Sequence, residues 1–206
     1  YYINNRWVTR THALTAHARD IPRGQWQDVG NRFLPCLFNE LVDFVEIEQA
    51  WHTCMWDEEA RKKYTPPWWR SGWLRWRTWR SPEAGIAHLK WAMTLTNEEF
   101  LDEDKKHLAE PTYQAKAAKE ILELYTWWKE AYPNRPDPYD VSGWSAYCEL
   151  RRANGYHVLD MEDKSPEEAK MSKDSLDALH SLEAKYTQED EDMMIRLIKI
   201  RESLWT

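Results

Sequence analysis

The clearest periodic signal lies between Tyr113 and Tyr132, where Ala117, Ala118, Ile121, Leu124, Tyr125, Trp128 and Tyr132 share one stripe and polar residues fill the rest. Such steps of three and four residues are those of an α-helix burying one face. A second amphipathic run opens at Pro35, which a first helical turn tolerates, and meets no further proline until Pro66, so one long helix is predicted there. Ser81-Pro82-Glu83 supplies a capping hydroxyl, a preset first residue and an acid against the helix dipole, and predicts another helix start. Thr96 with Glu99 is a capping box.

Three prolines in "PNRPDP" then break the chain, a short helix is predicted from Gly143 to Ala153, and Asn154-Gly155 stops it. Ser165 with Glu168 forms a second capping box, after which nothing interrupts a helix as far as Leu204. Its stripe (Leu176, Leu179, Leu182, Tyr186, Met193, Leu197) loses its apolar filling at "QEDED". No segment alternates like a strand, and no internal repeat is visible. The expectation is an all-α, single-domain helical bundle of about five to six helices with a long C-terminal helix that a second copy could pair with. Residues 1–33, irregular and modestly basic, read as an arm, and residues 34–206 as the helical domain.

On the long helix predicted from Pro35, a step of 100° per residue puts Glu40, Asp43, Glu46 and Asp57 on a solvated face. It puts Leu37, Leu41, Phe44, Val45, Trp51, Met55 and Trp56 on the opposite arc, with Glu48 and His52 in the middle of it, one turn apart and aimed at the core. A carboxylate so placed needs partners, because burying it alone costs several kcal/mol. The pair reads as a buried ion pair, as a metal site completed by His88, His107 or His180, or as the acid and base of a hydrolase acting on a nucleotide or small ligand. The paired Glu-x-x-His motifs of di-iron bundles are missing, so neither a metal nor a cofactor is expected. The Glu40/Asp43 step resembles magnesium-binding helices but lacks their partner motif.

No phosphate-binding glycine loop, G-x-S-x-G elbow or H-E-x-x-H is present, and the usual enzyme classes lose their evidence. Three cysteines without C-x-x-C spacing suit a reducing cytoplasm, and Cys36 and Cys54 lie in an apolar helix where burial keeps a thiol protonated. No apolar run approaches the roughly 20 residues that span a bilayer, so no membrane partner is expected.

Charge and aromatic content change the picture most. The net charge is -7, yet residues 61–80 carry seven cations and no acid. Residues 160–192 carry twelve acids against four lysines. The chain has fourteen tryptophans, most of which should be core. Five of them stand with four arginines in "YTPPWWRSGWLRWRTWRSP". If helical, Trp69, Trp73, Trp76 and Trp79 share a face. The segment therefore predicts a binding surface of Trp68, Trp69, Arg70, Trp73, Arg75, Trp76, Arg77, Trp79 and Arg80, with indoles stacking on bases while guanidiniums neutralise phosphates, or anchoring a host protein.

The segments "RFLPCLFNELVDFVEIEQAW", "WRSPEAGIAHLKWAM", "RPDPYDVSGW" and "MMIRLIKIRESLWT" resemble parts of uncharacterised proteins encoded by tailed bacteriophages. That resemblance implies a viral gene product acting in the bacterial cytoplasm as an accessory binding protein, or else a virion component or inhibitor of a host defence protein. It assigns no site residue.

Overall fold

A computed structural model describes residues 16–22, 27–65, 80–97, 110–156 and 165–204. They are all-α: apart from one isolated bridge between Thr96 and Pro111, no extended pairing occurs among them. The order is α1 (Val29–Asp43), a π-helical segment (Phe44–Gln49), α2 (Ala50–Trp56), α3 (Glu58–Tyr64), α4 (Pro82–Ala92) and α5 (Tyr113–Thr126). A second π-helical segment (Trp127–Ala131), a 3₁₀ turn (Tyr132–Asn134), α6 (Pro138–Val141), α7 (Trp144–Ala153), α8 (Pro166–Lys199) and a last 3₁₀ turn (Arg201–Ser203) follow. Contacts divide the chain into two compact units, one of Tyr1–Glu130 with Met194–Thr206 and one of Ala131–Met193. Among the described residues no helix is long and apolar enough to cross a membrane.

The first unit is built on α1, which begins at Val29 and carries Pro35 inside it. Phe38, Leu41, Val42 and Val45 are sealed there together with Leu124 of α5. The Phe38 ring packs on Trp127 and Trp128 at centroid distances of 5.0 and 5.1 Å. The predicted Ser81 cap forms, its Oγ accepting from Ala84 N–H at 3.3 Å, while α5 is capped by Thr112, which the pattern did not single out, its Oγ1 accepting from Ala115 N–H at 3.0 Å; Glu99 of the predicted Thr96 box lies outside the described residues. Gly85 lets α4 lie directly on the π segment, since a Cβ there would sit 2.0 Å from the Val45 carbonyl oxygen. Arg196 of α8 forks onto Glu120 at 2.6 and 3.0 Å and reaches Glu123 at 2.7 Å, which holds the Glu120 carboxyl below its usual range.

The single long helix predicted over Pro35–Tyr64 is instead a helical run of α1, the π segment and α2 that breaks at Asp57 before α3. Asp57 is extended, and its carboxylate accepts from Glu59 and Ala60 N–H at 2.9 and 3.2 Å, so this acid caps α3 where the sequence pattern has it on a helix face.

In the second unit the Arg135 guanidinium lies between the rings of Tyr132 and Tyr186, 4.8 and 5.0 Å from their centroids. It pairs with Glu189 at 3.1 Å and Asp190 at 2.7 Å. Two of the acids that interrupt the apolar stripe of α8 are therefore partners of a cation stacked between aromatic rings. Arg151 is fully buried beneath Tyr156. The Ser165/Glu168 box closes as read, with Glu168 N–H donating to Ser165 Oγ at 3.2 Å and Ser165 N–H to Glu168 Oε2 at 3.3 Å.

Candidate ligand pocket

The site grows out of the π segment. Hydrogen bonding from i to i+5 widens the turn, so each residue advances by less than 100° and the side chains beyond it lag behind an α-helical register. Glu46, which the 100° pattern leaves in solvent, is turned inside and is 3% exposed. Glu48, which the same pattern aims at the core, stands exposed on the outer side.

Glu46 arrives where donors converge. Its Oε1 accepts from Tyr125 OH and Lys129 Nζ, both at 2.8 Å, and its Oε2 from Arg80 Nη1 at 2.9 Å. Its main-chain carbonyl takes the Ser81 N–H at 2.8 Å. Arg80 also grips Asp43, whose other partner is His17 Nε2 at 3.0 Å. Burial alone would push the Glu46 carboxyl up, but the bonds from Lys129, Tyr125 and Arg80 outweigh it and hold the group below its usual range. Burial and the Glu46 carboxylate together push the Tyr125 phenol up. Both π segments thus contribute to one ion network, Glu46 from the first and Lys129 from the second.

Of the residues expected to bind nucleic acid or protein, Trp68, Trp69, Arg70, Trp73, Arg75, Trp76, Arg77 and Trp79 lie outside the described residues. Arg80 is described, and the structure turns its guanidinium inward onto Asp43 and Glu46 rather than outward. Nothing in a cluster of arginines marks which one has acids 34 and 37 residues upstream waiting for it.

His52 is half-buried, while Glu48, expected beside it in the core, is exposed. The His52 ring meets His88 of α4 edge-on, with centroids 5.5 Å apart. The row continues at both ends, to Trp56 at 6.2 Å and to Trp91 at 5.4 Å. Both terminal indoles are exposed, Trp56 at 79% and Trp91 at 55%. Trp51 and Met55 are exposed as well, so of the described tryptophans two are core (Trp127, Trp128), Trp144 is half-buried and Trp51, Trp56 and Trp91 are exposed. Glu48 shares with His52 only a shallow depression that Ile47 and Trp51 complete.

The two imidazoles separate two cavities. One, of about 500 Å³, opens toward Trp56, Lys63 and Tyr64. The other, of about 260 Å³, has a floor of Leu89, Ala117, Ala118 and Ile121 and a rim that includes the Tyr113 and Ser203 hydroxyls, 3.1 Å apart. Gln49 and Gln114 also line it, and His52, His88 and Trp91 give it an aromatic wall. Among the described lining residues there is no carboxylate, ammonium or guanidinium. Burial, with His52 beside it, holds the His88 imidazole below its usual value, so the ring is predominantly uncharged at neutral pH.

Among the described residues no three His, Cys, Asp or Glu side chains gather to share a metal ion. Burial pushes the Cys36 and Cys54 thiols up, which leaves both protonated and unreactive, as their place in an apolar helix predicts. The described residues form an all-α protein with an aromatic pocket whose described lining holds no carboxylate, ammonium or guanidinium. No family model, curated protein or solved structure matches this chain.

Proposed function

We propose that this protein works by binding, and that the smaller cavity of the first unit seats a flat, uncharged organic ring. The observation that carries this reading is the composition of one wall. Two imidazoles and an indole stand in a row at ring-contact distances above an apolar floor, with two carboxamides beside them. Rings supply stacking, the floor supplies water exclusion, and a few polar groups set orientation, which is how small-molecule sites are built. The volume is just below the usual range for drug-sized ligands and suits one ring system.

Trp91→Ala is the cleanest probe, because the indole is more than half exposed and its loss opens no core. The expected result is a roughly tenfold weaker affinity for a neutral planar heteroaromatic such as nicotinamide or adenosine, measured by isothermal titration. Equal affinity in the variant, or no binding by the native chain at millimolar ligand, contradicts the reading.

The Trp/Arg-rich segment is a second proposed surface, for single-stranded nucleic acid. Its support among the described residues is α3, whose Arg61, Lys62 and Lys63 are exposed and run straight into it. Arg80 is left out of the test because it serves Glu46. Charge reversal of Arg75 and Arg77 together is expected to abolish salt-sensitive binding of an oligothymidylate while circular dichroism is unchanged. Binding that survives the double reversal removes the proposal.

A further inference from the structure

Within that pocket the Gln49 carboxamide oxygen is an acceptor the fold does not use. The residue is 8% exposed and lines the cavity, and its Oε1 is buried without a hydrogen-bond partner. Its main-chain carbonyl, by contrast, is engaged by Thr53 Oγ1 at 3.0 Å. A buried acceptor left unpaired is costly, and a leucine or methionine would fill the same space without that cost. The terminal torsion of glutamine is broad, so the amide can turn its oxygen or its nitrogen toward the cavity while the stem stays packed.

A carboxamide offers one acceptor and a donor side by side. The ligand edge that satisfies both at once carries an N–H donor next to a ring-nitrogen acceptor, which is how glutamine pairs with the amino edge of adenine. The remaining features of the cavity select the rest of the molecule. Stacking on His88 and Trp91 demands a flat π-system, and a described lining without carboxylate, ammonium or guanidinium offers no ion-pair partner of those kinds to a charged ring substituent. A cavity of about 260 Å³ leaves a sugar at the rim, where Tyr113 and Ser203 present hydroxyls.

Resting on the pocket reading above, we propose that the site binds a nucleobase bearing an exocyclic amine, recognised through the Gln49 carboxamide and stacked against His88 and Trp91. The base can come from a free nucleoside or from an unstacked residue of a single strand, and the chemistry at the pocket is the same.

The test compares adenosine, purine riboside, which lacks the amine, and N6,N6-dimethyladenosine, which lacks the N–H, on the full chain by isothermal titration. Adenosine is expected to bind at least about tenfold more tightly than either analogue. Gln49→Leu is expected to erase that preference while Trp91→Ala weakens all three ligands alike. If Gln49→Leu does not fold, the comparison of the three ligands on the native chain still decides. Equal affinities for all three overturn the role of Gln49 and leave the pocket reading standing, whereas no binding of any of them removes the pocket reading itself. Oligodeoxyadenylate competing at lower concentration than adenosine supports the site and assigns its source to a strand; the reverse order supports the site and assigns it to the free nucleoside.

Discussion

Glu46→Ala is expected to destabilise the first unit by about 2–4 kcal/mol, one of the two largest effects anticipated for a single substitution in this chain. The residue is buried, and its carboxylate is the common acceptor for Tyr125, Lys129 and Arg80. Removing it strands the Tyr125 hydroxyl and two cations around an empty space. Breaking a wholly buried pair costs about 3–5 kcal/mol, but Lys129 and Arg80 keep some contact with water and Arg80 keeps Asp43, which places the expectation toward the lower end. Glu46→Gln retains the shape and some of the bonds, and should lose less. Urea denaturation checks both. The pH dependence has a definite sign. The folded-state value for Glu46 is depressed, so its contribution is complete above the unfolded value of about 4.3 and disappears as pH falls through the folded one. The native chain should therefore lose stability in acid more steeply than Glu46→Gln does.

Gly85→Ala is the second. In an open helix, alanine would be favoured over glycine by about 1 kcal/mol. Here the added methyl meets the Val45 carbonyl oxygen at 2.0 Å and its carbon at 2.9 Å, and neither atom can rotate out of the way. Helix α4 would have to lift off the π segment, so the overpacking term wins, and a net loss of about 1–3 kcal/mol or more is expected. Thermal unfolding should show a midpoint lowered by several degrees. Gly30→Ala in α1 is the control: its new methyl meets nothing within 4 Å, and the variant should be as stable as the native chain or slightly more so. Because His88 and Trp91 ride on α4, Gly85→Ala should also weaken ligand binding.

These effects mark where the sequence is legible. Two helix starts are, because Ser81-Pro82 and Ser165 with Glu168 carry their own hydrogen-bonding logic within four residues, whereas α1 starts at Val29 and not at the Pro35 that the pattern puts in a first turn. The buried stripe of α5 is legible as far as Trp128, because Ala117, Ala118, Ile121, Leu124, Tyr125 and Trp128 obey one period and are buried, but Tyr132, beyond the second π segment, is only half-buried. The register of the helix after Asp43 is not legible. A π segment changes the angle between successive side chains without changing their order, so the pattern that makes Glu46 a surface residue and Glu48 a core one fails from that point on. Nor could spacing reveal that the donors for Glu46 stand 34, 79 and 83 residues away. The pattern sets His52 beside Glu48 on an arc facing the core, whereas Trp51, Met55 and Trp56 of that arc are exposed and the His52 ring packs on His88, which lies on a helix whose approach depends on Gly85, so only the fold brings the two rings together.

The pocket is tested most directly by nuclear magnetic resonance on a chain labelled in its histidine rings, titrated with adenosine. His52 and His88 stand at the cavity wall, whereas His180 is an exposed residue of the other unit and serves as an internal reference. Saturable movement of the His52 and His88 signals at a common ligand concentration, with His180 unmoved, is the predicted result. Signals of His52 and His88 that stay put at saturating adenosine, or that drift in step with His180, contradict it.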